Sequence, residues 1–355
     1  MMTISDAGND LEAARSAFYH RLKDRNMSAL WTVLHDLVPR APRRDQMAAS
    51  WAYADIRRTL MEAGELITAK EAERRALILE NPAWPGESRI TPTLYAAIQL
   101  VLPGDVAPAH RHTQSALRFV LEGSGAFTAV NGERTFMERG DFVITPNWAW
   151  HDHGNDSDVP MIWLDGLDIP LVSFMNVGFS EPGEADRQAV TKPAQDAPAR
   201  FGSGLLPVDY EASAYSTSPI FNYPYARSRA ALEQLRVADV YDACHGIKQK
   251  YVHPATGDFA MPTIATFLQL LPRDFDTHPY RSTDSTVFVV VEGRGHSMIG
   301  DQRFDWGPND LFVLPTWTKV THHPAEDAVL FSYSDRGIQQ KLGLWREDRF
   351  EELRT

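Results

Sequence analysis

Cysteine is almost absent from this chain of 355 residues: Cys244 stands alone, so no intrachain disulfide can form. A single thiol suits a reducing compartment, and a cytoplasmic location is expected. Long apolar runs are also missing, which excludes a helical membrane span. The first twelve residues are polar and acidic and carry no signal-peptide pattern. Positive charge is in deficit, with 35 Lys and Arg against 47 Asp and Glu for a net charge of −12. A nucleic-acid partner is therefore not expected, nor, without an apolar span, is a membrane one. Against that acidic background, the cluster Arg74, Arg75, Arg111 and Arg118 becomes informative. What is present is ordinary for a soluble globular protein: 43% apolar and 23% charged residues. The length allows two domains with real cores.

The stretch from Ala109 to Asn155 organises the rest. Short apolar runs broken by glycine, 117–122, 126–130 and 141–145, predict consecutive β-strands with tight turns. His110 and His112 form an H-x-H pair, whose imidazoles share one face of a strand because side chains alternate with period two. His151, from a later strand, can close the set. Three imidazoles on one face suit Fe, Zn, Cu or Ni, and spacing alone does not choose among them. Gly104 lies six positions before His110; Gly140, Pro146, His151 and Asn155 follow in a second group. These two groups resemble the two cupin motifs. Cupins usually add a Glu ligand four or five positions after H-x-H, where this chain has Ala116 and Leu117. Three neutral histidines leave a metal's charge uncompensated and favour an anionic, chelating substrate.

The segments 110–119 and 145–154, with 73–77 and 165–170, resemble the gentisate 1,2-dioxygenase family, which also includes salicylate and 1-hydroxy-2-naphthoate dioxygenases. The resemblance implies a mainly β bicupin fold, an Fe(II) cofactor, and cleavage of gentisate between C1 and C2 with O2 to give maleylpyruvate. It also implies a homo-oligomer, a tetramer. Gentisate would chelate the iron through its carboxylate and 2-hydroxyl.

In chain order, residues 1–70 read as an N-terminal helical segment, with apolar residues at helical spacing (Leu11, Ala14, Phe18, Leu22; Leu30, Val33, Leu34, Leu37) and a third helix over 47–61. Residues 71–180 form the metal-bearing cupin, opening with a strand at 74–79. Residues 181–249 are a linker rich in Pro, Gly and Ser that contains a helix over 226–237. Val291–Gly295 then echoes Leu121–Gly125 at an offset of 170, and Asp310–Trp317 echoes Asp141–Trp148 at an offset of 169. That repeat makes 250–335 a second, degenerate cupin. The offsets carry His110 to Tyr280, His112 to Ser282 and His151 to Val320, so its ligand positions are gone. Residues 336–355 read as a terminal helix.

His110, His112 and His151 are the expected metal ligands. Arg118 lies six residues after His112, on the same strand face if that strand is regular, and its guanidinium fork suits a carboxylate. An ion pair with a nearby acid is the alternative for it. Arg74 is a second carboxylate-side candidate, with Arg75 pointing the other way. Gln99 is either a structural hydrogen-bonding residue or, as the family implies, a substrate contact. His153, two residues after His151, is a candidate for contact with substrate or oxygen. One of Asp165 and Asp168 is expected to orient a ligand imidazole. Trp148 and Trp150 read as pocket wall or core. Two other classes remain open: a metal-dependent cupin isomerase or hydrolase, which consumes no oxygen, and a non-catalytic cupin that senses an aromatic acid.

Overall fold

The computed structural model describes residues 4–212 and 217–350. The chain divides into two compact units, Met1–Arg43 and Arg44–Thr355. In the first, helices Ile4–Asp24 and Leu30–Leu37 meet through aromatic residues. The Phe18 and Trp31 rings stack at 6.5 Å, and the Trp31 indole donates to the Tyr19 hydroxyl at 3.1 Å.

The second unit is the bicupin: two barrels, each built from a six-stranded and a five-stranded sheet. In the first barrel the six-stranded sheet runs Asn222–Tyr223, Phe142–Thr145, Ala116–Glu122, Met161–Leu167, Tyr95–Val101, Arg75–Ile78. Its five-stranded sheet runs Ser180–Pro182, Val106–His112, His151–Asn155, Ala126–Val130, Glu133–Phe136. The second barrel repeats this order, with Ala49–Trp51 at one edge of its larger sheet and Glu347–Arg349 at one edge of its smaller sheet.

Strand alternation decides what each side chain does. On Ala116–Glu122, residues Leu117, Phe119 and Leu121 enter a core shared by both barrels, while Ala116 and Arg118 face the first barrel's interior. On Tyr95–Val101, Ala96, Ile98 and Leu100 join the shared core and Tyr95 and Gln99 face inward. The Phe119 and Phe331 rings stack across the junction at 4.1 Å. Gly166 lets the two sheets approach, because a Cβ there would meet the Tyr333 ring at 2.9 Å. Buried carboxylates add symmetric ties. Asp168 accepts from Ser115 N–H at 2.9 Å and from the Thr263 hydroxyl at 2.6 Å. Asp335 accepts from Ser285 N–H at 2.9 Å and from the Thr93 hydroxyl at 2.8 Å.

Two helical expectations and one linker expectation need correction. The helix expected over 47–61 starts only at Tyr53 and runs to Leu66. Ala49–Trp51 is instead a strand paired with Leu311–Leu314, and Asp310 takes the Tyr53 N–H at 2.8 Å where the helix begins. The terminal helix stops at Lys341 and is followed by the strand Glu347–Arg349, paired with Tyr280–Ser282. Gly343, at φ 70°, turns the chain there, and the Trp345 indole anchors on Asp284 at 2.8 Å. Within the expected linker, Ser180–Pro182 adds a strand beside Val106–His112.

Candidate metal centre

Two adjacent strands place the three histidines. His110 and His151 are cross-strand partners, and His112 follows two residues along the same strand. The pairing is irregular between Ala107 and His110, a bulge that re-aims the following side chains. The ring centroids lie 4.0 Å apart for His110 and His151, 4.8 Å for His112 and His151, and 5.5 Å for His110 and His112. One donor atom from each lies within 4.8 Å of the others. Among the described residues, no other group of three His, Cys, Asp or Glu converges in this way.

Their tautomers follow from their neighbours. Each Nδ1 lies beside a backbone carbonyl two residues away along the chain: Pro108 at 2.8 Å, Gln114 at 2.9 Å and Ala149 at 2.8 Å. A carbonyl only accepts, so Nδ1 carries the proton and Nε2 keeps its lone pair. Burial pushes His110 down to about 3, helped by the Arg74 charge, and His112 down to about 4. Burial holds His151 well below its ordinary range too. All three are neutral at physiological pH, as metal ligation requires. The His151 Nε2 is buried without a protein partner. This donor set fits a first-row divalent ion.

The histidines line a cavity of about 490 Å³, shared with Arg74, Gln99, Arg118, Tyr95 and Asp165. Two arginines against one aspartate leave its walls positive before any metal is counted. Arg118 is buried; it donates to the Thr145 hydroxyl at 2.8 Å, and its Nε lies 3.2 Å from Asp165 without hydrogen-bond alignment. Burial pushes both members of that pair toward neutrality, and each one's charge resists the shift in the other. Arg74 is open to the cavity although its guanidinium is surrounded by protein, and it reaches His110 Nε2 at 2.6 Å. Gln99 Oε1 is buried and unpartnered. Arg75 does point the other way, into an ion pair with Asp105.

The orienting role expected of Asp165 or Asp168 needs correction. Asp165 and Asp168 touch no ligand imidazole: the first pairs with Arg118 and takes the Trp163 indole at 3.1 Å, and the second ties the two barrels. Backbone carbonyls do the orienting instead. His153 is fully buried with Nδ1 3.0 Å from the Thr128 hydroxyl; it does not line the cavity, although its Nε2 lacks a protein partner. Arg118 reaches the cavity from a different strand than His112, because residues 113–115 turn the chain into the other sheet. Trp148 and Trp150 do not line the cavity either; they flank the Arg111 guanidinium at 4.4 and 4.8 Å. Sequence reasoning missed Ile78, Gln114, Leu167, Ile169 and Ser180 on the cavity wall. Only Gln114 carried a signal, its place two residues after His112.

Residues 97–167 match the model of the cupin domain. The chain is 56% identical to gentisate 1,2-dioxygenase 1 of Aquipseudomonas alcaligenes, covering 94% of this chain and 96% of that one. It is 37% identical to a gentisate 1,2-dioxygenase of a Streptomyces species, covering 94% and 95%. Among solved structures, salicylate 1,2-dioxygenase from Pseudoaminobacter salicylatoxidans with gentisate bound aligns at a TM-score of 0.89 and 35% identity, covering 96% and 94%.

Proposed function

The chain belongs to the gentisate 1,2-dioxygenase family, and from that premise we propose that it cleaves gentisate between C1 and C2 with O2, yielding maleylpyruvate. The observation that carries this reading is the charge of the cavity: three neutral histidines without a carboxylate ligand, with Arg74 and Arg118 on the walls. That site calls for an anionic, chelating substrate. Fe(II) is the metal we assign to His110, His112 and His151; when bound there, it supplies the redox chemistry that lets dioxygen react with an electron-rich ring.

The chain's own residues do the rest. Arg118 presents a guanidinium to the substrate carboxylate, fixed from behind by Thr145 and Asp165. Arg74 assists it. His110 Nε2, which Arg74 reaches here, is the nitrogen that would hold the metal, and Arg74 would then be free to turn to the carboxylate. Gln99 offers an unpartnered amide oxygen to a substrate hydroxyl. Ile78, Leu167 and Ile169 form an apolar wall for the ring. Ala97 lies between Tyr95 and Gln99, on their strand face, and is buried. Its methyl group favours gentisate over salicylate, whose branch of the family, by resemblance, carries glycine there.

Leu30, Trp31 and Leu37 of the N-terminal unit are exposed and support a homo-oligomer, which we assign as a tetramer. Among the described residues no helix is long and apolar enough to cross a membrane. The lone Cys244 supports the reducing cytoplasm. The deciding experiment is O2 uptake with Fe(II) and gentisate, followed by product analysis. Stoichiometric uptake with a ring-opened product is expected. Isomerised or hydrolysed substrate without uptake, or binding without turnover, would overturn the reading.

A further inference from the structure

The second barrel has a cavity too, and its walls carry a different charge pattern. Lys248 pairs with Gln269 as Ala76 pairs with Gln99, so an ammonium stands where the first barrel's wall has a methyl group. Tyr280 and Val320 are cross-strand partners, as His110 and His151 are. His322 mirrors His153, with Nδ1 2.8 Å from the Ser297 hydroxyl. The cavity holds about 410 Å³, and a smaller chamber shares Lys248, His245, Phe267 and Arg336 with it.

Two cations in this cavity lack acid partners. Among the described residues, the contacts of the Lys248 ammonium are the faces of Phe267 at 4.8 Å and Phe288 at 6.0 Å. Arg336 lies over the Trp345 ring at 3.8 Å, and its Nε is buried without a partner. Asp284, which holds the Trp345 indole at 2.8 Å, and Asp242, which pairs with Arg349 at 2.6 Å, favour the Lys248 charge from a distance without pairing with it. Burial, then the Arg336 charge, lowers Lys248 to about 8, which still leaves it mostly cationic at neutral pH. Unpaired, mutually repelling cations in a partly desolvated cavity are costly unless an anion joins them. Phe267 and Phe259, edge to face at 5.7 Å, add an apolar wall.

We propose that the second barrel binds a small organic carboxylate between Lys248 and Arg336, with its apolar body against Phe267. The cations select the carboxylate, and the phenylalanines select against a bare inorganic ion. Two carboxylates come from the reaction assigned above: the aromatic substrate and its ring-opened dicarboxylate product. Naming these two rests on that assignment; the site itself does not.

The test is a ¹⁹F NMR titration of the full-length protein with 3-fluorobenzoate. A saturable site is expected that persists in Arg118→Lys and weakens at least tenfold in both Lys248→Ala and Arg336→Gln. Alanine is what the first barrel carries at the position matching Lys248, so that variant should fold; melting curves check both, and Arg336→Gln carries the test if Lys248→Ala does not fold. Displacement of this site's probe by gentisate or by the ring-opened product supports the proposal and identifies the source. Equal probe affinity in wild type and in folded variants overturns it, as does displacement by inorganic phosphate but by neither carboxylate. Absence of gentisate turnover would overturn the functional assignment while leaving this readout intact.

Discussion

Arg118→Lys separates the two roles that the structure gives this residue. The guanidinium holds Thr145 at 2.8 Å, lies 3.2 Å from Asp165 and forms part of the cavity wall. Lysine keeps the positive charge opposite Asp165, so no buried carboxylate is stranded. It gives up the planar fork, and with it paired hydrogen bonds to a substrate carboxylate. Losing one hydrogen bond to a charged group costs about 1.5–3 kcal/mol, which weakens binding roughly 10- to 150-fold. The assay is the anaerobic Kd for gentisate on metal-loaded protein, with metal content and melting temperature measured in parallel. Metal content should match wild type. Arg118→Gln is the wrong variant, because an unpaired buried Asp165 costs roughly 3–5 kcal/mol of stability and would obscure the binding effect. Wild-type affinity in Arg118→Lys, with a lower melting temperature, would refute the carboxylate role and leave only the ion pair.

Other outcomes follow from the same geometry. The protein should bind about one metal ion per chain, and alanine at His110, His112 or His151 should remove metal and activity together; elemental analysis checks this, and a metal surviving all three substitutions would point to a second centre. Gentisate should exceed salicylate strongly in kcat/KM under air; the Ala97 methyl contributes about 1–3 kcal/mol of discrimination at most, and equal turnover of salicylate would sink the substrate assignment alone. Asp168 and Asp335 are raised by burial from 3.8 to about 6. The native state therefore holds more protons than the unfolded state between those values, and stability falls as pH rises through them, by up to about 3 kcal/mol per group. Asp168→Asn and Asp335→Asn should match wild type near pH 4 and melt higher at pH 7.5; a difference independent of pH would reject this account.

The three-histidine cluster was legible because it is local. H-x-H fixes a shared strand face by period two alone, and His151 arrives with its own glycine and proline signals. The repeat of Leu121–Gly125 in Val291–Gly295 likewise revealed the second barrel. What the sequence does not show is tertiary. Ala49–Trp51 looks helical by composition, yet the exposed edge of Leu311–Leu314 recruits it as a strand, an override of local propensity by a distant pairing. His153 shares a strand with His151, and period two cannot show that Thr128 on the neighbouring strand takes its ring. The expectation that one of Asp165 and Asp168 orients an imidazole fails because nothing local reveals that Arg118 lies opposite Asp165 across the sheet.

The repeated acids explain why a barrel without histidines at the three ligand positions is still built. Glu122 accepts from the Tyr53 hydroxyl at 2.9 Å and from Arg57 at 2.7 Å. Glu292 takes the same two partners on the other side, the Tyr225 hydroxyl and Arg229. Asp310 caps the helix that begins at Tyr53, and Asp141 accepts the Tyr225 N–H at 2.9 Å at the start of the equivalent helix. Each helix is thus held at its first residue by one barrel and through that residue's hydroxyl by the other. The edge strands cross in the same sense: Ala49–Trp51, which precedes the first barrel, completes the second, and Asn222–Tyr223, which precedes the second, completes the first. Separating the barrels would uncover Leu117, Phe119 and Leu121 together, at roughly 1.5–3 kcal/mol for each apolar side chain returned to water. Those residues alternate with Ala116 and Arg118, so loosening the junction would disturb the strand that carries Arg118 into the cavity. The second barrel therefore serves the three-histidine cavity mechanically, by fixing the outer face of the sheet whose inner face lines it.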